Sequence, residues 1–163
     1  MSDDSTTDSN GNGTGPRRLI DFAALNTAGP AEQGTDIILD DPFTGGPIEG
    51  TDGQPLTWTL RGDDAKSVRA VTKKHQDKRN ERISKGKGAD LDADTLDTQR
   101  IERLIAATIR YSNNFPALDG HEMPYTPANA LRMLKDERFS WLPEQLAQAL
   151  GDRKRFLPLT LTS

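Results

Sequence analysis

The pattern that most constrains this chain lies at residues 101–109. Ile101, Leu104, Ile105, Thr108 and Ile109 stand at i, i+3, i+4, i+7 and i+8, the spacing of one buried helix face. It predicts an amphipathic helix over about 95–113, ended by Phe115-Pro116, and sets that helix at the centre of the core. Asp94 is expected to cap it, with Asp97 in its first turn favouring the positive end of the helix dipole.

The other elements are read around this helix. Ile37, Ile38 and Leu39 form a β-favouring run that Pro42 and Gly45-Gly46-Pro47 break. Leu56-Thr57-Trp58-Thr59-Leu60 alternates apolar and polar, the period of a half-buried strand with Leu56, Trp58 and Leu60 inward. Asp40 to Pro55 is about 16 residues, too long for a tight hairpin, and reads as a polar arm. Gly62 closes the strand, and Asp63 or Asp64 is placed to cap a helix running to about Lys85, where Gly86 and Gly88 stop it. Its apolar stripe is thin: Ala65, Val68, Val71 or Thr72, His75 and Ile83. Thr126-Pro127 reads as a cap with proline at the first helical position, followed by inward Ala130, Leu131 and Leu134. Ser140 to Glu144 opens a last helix whose Leu142, Leu146, Ala149 and Leu150 share a face.

Hydrophobic residues are 33 % of the 163, below the roughly 45–50 % of a compact domain, so a packed core cannot run the whole length. The segment MSDDSTTDSNGNGTGP has Met1 as its only large apolar side chain, and residues 1–18 read as a disordered tail. Residues 19–34 read as a short docking segment: Leu19, Ile20, Phe22, Ala23, Ala24 and Leu25 form one apolar helical turn that Asn26, Gly29 and Pro30 terminate. The domain proper spans 35–157, and 158–163 is a tail that adds a strand or hangs free. The expected fold class is α+β: a small N-terminal β element of two or three strands, then about four helices, behind a disordered N-terminal tail.

Composition excludes several functions. Cysteine is absent, so disulfides, thiolate metal sites and cysteine nucleophiles are ruled out. No apolar run approaches the ~18 residues that span a bilayer, and the N-terminus lacks the apolar stretch of a secretion signal. The two histidines, His75 and His121, are too few for a transition-metal site. Asp90, Asp92 and Asp94 imitate the start of a calcium loop, but Thr95 and Ile101 stand where glycine and glutamate are needed. Arg61-Gly62-Asp63 reads as a strand end, a turn and a cap. Neither a phosphate-binding glycine loop nor a nucleophile elbow occurs. Catalytic residues, metals and cofactors are therefore not expected, and the chain does not read as an enzyme.

Charge is uneven. The chain carries 25 acidic and 21 basic residues, a net charge of −4, which argues against coating DNA by bulk charge. Lys66, Arg69, Lys73, Lys74, Lys78, Arg79, Arg82, Lys85 and Lys87 nevertheless fall in one element. Asp64, Asp77 and Glu81 interrupt them, and no Phe, Tyr or Trp lies between Trp58 and Tyr111 to stack on bases. This helix reads as a solvated face, or one that meets an acidic protein. A nucleic-acid-binding regulator using helix 64–85 is the alternative.

Two segments carry a resemblance. Asp36-Ile37-Ile38-Leu39-Asp40-Asp41-Pro42-Phe43-Thr44-Gly45, then Leu56 through Ala65, is similar to a "D-P-x-T-G" turn, a strand and a Gly-Asp-Ser helix start, with Ala65 where serine is usual. Met123 through Ala130, Trp141 through Leu146 and Asp152 through Leu157 are similar to a "pF-t-p-e-N-a" segment, a closing amphipathic helix and "D-r-x-x-F". Together they resemble the tail assembly chaperones of long-tailed bacteriophages and gene transfer agents, over about 36–157. Tyr111-Ser112-Asn113-Asn114-Phe115 departs from the Gly-Trp pair usual there.

The resemblance implies a non-enzymatic helper of the host cell cytoplasm, absent from the mature virion. It would bind the tape measure protein and present it to the tail tube protein. The contact residues expected are Phe156, Leu157, Leu159 and Leu161 at the apolar C-terminal end, and Lys74, Lys78 and Arg82 on the charged helix. A structural virion protein, such as a tail-completion or connector component, is a second alternative.

Overall fold

A computed structural model describes residues 22–157, apart from the side chains of Phe22 and Ala24. The expectations for residues 1–18, Leu19, Ile20, Leu159, Leu161 and the C-terminal tail lie outside the described residues. The fold is α+β: a three-stranded antiparallel sheet plus about five helices.

A short 3-10 turn, Phe22–Leu25, leads into α1 (Ala28–Gln33). Gly29 and Pro30 were expected to end the apolar patch. Both instead lie in the first turn of α1, where proline has no intrahelical donor to lose. Asn26 Oδ1 accepts from the backbone N–H groups of Ala28 and Gly29. Ala31 docks this segment on the core at 2 % exposure, whereas Leu25 points outward.

Strand β1 (Thr35–Ile38) pairs with β2 (Thr57–Leu60), Ile37 opposite Trp58. Ile37, Leu39, Leu56, Trp58 and Leu60 are buried, as the period-two pattern requires, and Ile38 faces out. The arm between the strands is folded rather than loose. Ile48 N–H donates to Leu39 O and Leu56 N–H to Ile48 O, both at 2.8 Å, so the arm runs back alongside both strand ends.

Helix α2 (Lys66–Ser84) starts without a side-chain cap from Asp63 or Asp64. Both carboxylates are engaged elsewhere: Asp63 with Arg103, and Asp64 with Arg153 at 3.1 Å. Glu32 of α1 takes the cap's place and accepts from Lys66 N–H. Helix α3 (Ala93–Ala107) is capped by Asp92, whose side chain accepts from Thr95 N–H at 2.7 Å, not by Asp94.

The third strand comes from an unexpected place. The helix predicted to reach 113 stops at Ala107, and β3 (Thr108–Tyr111) pairs antiparallel with β2. Thr108 and Ile109 continue the helical spacing, yet β-branched residues also suit a strand. Tertiary contacts decide between the two. Trp58 Nε1–H donates to Thr108 Oγ1 at 3.0 Å, Thr108 Oγ1–H donates to Leu104 O at 2.8 Å, and Arg61 N–H donates to Ala107 O at 2.7 Å. Tyr111 then sits across from Trp58, with ring centroids 5.0 Å apart.

Helix α4 (Pro127–Lys135) is capped by Thr126, which accepts from Asn129 N–H at 3.0 Å. Ala130 and Leu134 are inward, but Met133 takes the buried place expected of Leu131, which is exposed. A 3-10 turn, Glu137–Phe139, joins it to α5 (Trp141–Gly151), whose Leu142, Leu146, Ala149 and Leu150 all enter the core. Helices α2, α4 and α5 each pack against α3, so α3 does lie at the centre.

Candidate functional site

The expected contact residues fall into different surroundings. Phe156 is not an exposed anchor. It is 6 % exposed, in the core, at the end of a 3-10 turn, Arg153–Phe156. A Cβ built on Gly62 would come within 2.9 Å of its ring. Aspartate 152 caps that turn through Lys154 N–H and folds the chain back, which explains why the residue looked like part of a free apolar end. Leu157 is half-buried.

Lys74, Lys78 and Arg82 are four residues apart on α2 and so lie along one side of it. Lys74 Nζ is 3.8 Å from Glu102 Oε2, and His75 Nε2 is 2.6 Å from the same oxygen. The His75 hydrogen bond holds the Glu102 carboxyl below its usual range, with the positive charges of Lys74 and Lys78 adding to it and burial opposing. Arg82 is half-buried and donates to Asp90 O at 3.4 Å, while its Nε is enclosed with no hydrogen-bond partner. Arg82 therefore fastens the loop before α3 rather than standing free.

Helices α2 and α5 flank α3 and leave a cleft of about 460 Å³ over it. Leu96, Leu104, Ala147 and Leu150 give the cleft an apolar lining, and Arg79, Arg100 and Arg103 also line it. Leu96 is 50 % exposed. Among the described residues Arg79 has no ion pair, Arg100 pairs with Asp97 at 3.4 Å, and Arg103 with Asp63. A wider depression of about 870 Å³ lies over the start of α2, but its Glu32, Asp63, Asp64, Arg103 and Arg153 already bind one another or the backbone. An apolar pocket of about 180 Å³ lies at the edge of the core between Leu39, Phe115, Met123, Met133, Trp141 and Leu142, with the exposed Pro116 and Ala117 at its rim.

At the tip of the arm, Phe43 is 95 % exposed on a firmly tied turn. Asp41 Oδ1 accepts from Phe43 N–H at 2.7 Å and from Thr44 N–H. Asp41 O accepts from Gly45 N–H at 2.8 Å, and Asp41 N–H donates to Gly46 O at 2.7 Å. Gly45, at φ 75°, takes the left-handed conformation that closes the turn.

The charge-pattern reading singled out neither Phe43 nor Leu96. The signal for Leu96 was a large apolar residue lying off the buried stripe of its own helix. For Phe43 it was an aromatic side chain inside a turn motif. Among the described residues no group of three or more His, Asp or Glu could hold a metal ion, and no helix is long and apolar enough to cross a membrane. No known family model, no curated protein and no solved structure matches this chain.

Proposed function

We propose that this protein is a phage tail assembly chaperone. In this reading it binds the tape measure protein through non-covalent contacts and promotes tube polymerisation in the host cell cytoplasm. The observation that carries the reading is Phe43. A 95 % exposed phenylalanine on a turn fixed by four hydrogen bonds suits a contact with another polypeptide. Burying such a side chain is worth about 1.5–3 kcal/mol to a complex. The turn is also the "D-P-x-T-G" part of the sequence resemblance, with Phe43 at its variable position.

The test is co-expression with the tape measure protein of the same genome. The wild type is expected to keep that protein in the soluble fraction, and Phe43→Ala to lower the soluble share several-fold. A tape measure protein left insoluble beside the wild type sinks the reading. Mass spectrometry of purified particles separates a chaperone from a virion component: absence supports the chaperone, and stoichiometric presence supports the connector alternative.

A further inference from the structure

We infer that the cleft between α2, α3 and α5 is the seat of a partner helix with an apolar stripe and an acidic flank. The inference rests on the chaperone reading and adds where, and by what chemistry, a helical client is held. Of the three helices that pack on α3, α2 and α5 leave part of its surface between them open. A further helix laid there would cover that part of α3. The lining runs from Thr72 to Arg79 on α2 and from Leu96 to Leu104 on α3, about 11 and 12 Å at 1.5 Å per residue, which seats about two turns of a partner helix.

The lining sets the partner's chemistry. Leu96 and Ala147 stand at the surface of the cleft, with Leu104 and Leu150 beneath them. That is a surface for leucine-like side chains at helical spacing. Every fully charged side chain lining it is an arginine: Arg79, Arg100 and Arg103. Arg79 is unpaired among the described residues, and the Arg100–Asp97 pair is exposed on both sides, where such pairs are weak and readily exchanged. Glutamates on the flanks of an incoming helix would find the guanidinium groups of Arg79 and Arg100, while Arg103 is held by Asp63, and lysines there would meet like charge.

The probes are two synthetic amphipathic peptides of about 20 residues with the same leucine stripe, one flanked by glutamate and one by lysine. Binding is read by fluorescence anisotropy against the full chain. The glutamate peptide is expected to bind at least about tenfold tighter, a difference of about 1.4 kcal/mol, and to weaken as salt rises. Leu96→Glu and Arg79→Glu are each expected to weaken it about tenfold while leaving the urea unfolding curve in place, since both side chains are solvent-facing. Equal binding of the two peptides, or unchanged binding by both variants, overturns the inference.

Co-expression separates this result from the parent reading. If wild type and Leu96→Glu keep the tape measure protein soluble equally well, the cleft is wrong and the chaperone reading stands. If the glutamate peptide binds as described but the tape measure protein stays insoluble, the cleft stands and the chaperone reading falls.

Discussion

Asn114 shows how much one side chain organises here. The stretch 111–115, where the resemblance breaks off, clasps the arm in this chain. Asn114 Nδ2 donates to Asp52 Oδ1 at 2.8 Å and to Gln54 O at 3.0 Å, and its backbone oxygen accepts from Thr51 N–H at 2.9 Å. The residue is 8 % exposed. Gly50 passes so close that a Cβ there would lie 2.4 Å from Asn114 Nδ2. Asn114→Ala removes two hydrogen bonds and leaves Gln54 O without that donor, so it is expected to lower the unfolding free energy by about 1–3 kcal/mol. Urea denaturation measures this. An unchanged midpoint means that the arm holds its shape without the clasp. Gly50→Ala is expected to be destabilising through the same contact.

At the scale of elements, the sequence was clear where one period dominated and ambiguous where two overlapped. Leu56, Trp58 and Leu60 alternate with threonines, and all three are buried. Leu142, Leu146 and Leu150 repeat every four residues and enter the core together. Thr108 and Ile109 satisfied both the helical and the strand pattern. What decided them was Trp58, 50 residues away in sequence, a contact that no local window contains. The caps failed for a similar reason. Asp63 and Asp64 have the right chemistry for a cap, but Arg103 and Arg153 claim them from a distance. For α3 the choice among neighbouring aspartates has a direct check. Asp92→Ala removes the cap bond to Thr95 and is expected to lower the melting temperature, while Asp94→Ala lowers it much less. Equal losses by thermal melting refute the assignment. Helix α2 makes a further prediction. Val68 is its only buried residue, and most of its last two turns face solvent. Amides of residues 77–84 are therefore expected to exchange hydrogen well before those of Leu104 to Ala107 in α3.

At the scale of the whole molecule, α+β was legible because hydrophobic periods appear in distinct blocks. The candidate surfaces were not, because they depend on what the core leaves outside. Phe156 looked like an exposed end until Gly62 and Ala31 were brought beside it. Leu96 looked unremarkable until α5 lay across from it. The same long-range arrangement sets how the fold responds to acid. Asp119 and Asp136 both bind Arg138, and its hydrogen bonds hold both carboxyls below their usual range. Asp52 is held down by Asn114, Asp92 by its bond to Thr95, and Glu102 by His75. In each case the folded protein binds the proton less readily than the unfolded chain does. These groups therefore contribute their full share of stability above the ordinary carboxylate range near pH 4, and lose it as pH falls through their lowered values. The urea midpoint is expected to stay level from pH 7 to about 5 as far as these carboxylates go, and then to fall steadily. Arg138→Ala lets Asp119 and Asp136 move back toward their usual values, although Arg132 still lies 3.6 Å from Asp119. That variant is expected to be less stable than the wild type near neutrality and to lose less on acidification, so the two curves converge toward pH 2. Parallel curves show that the Arg138 cluster plays no part in the acid response.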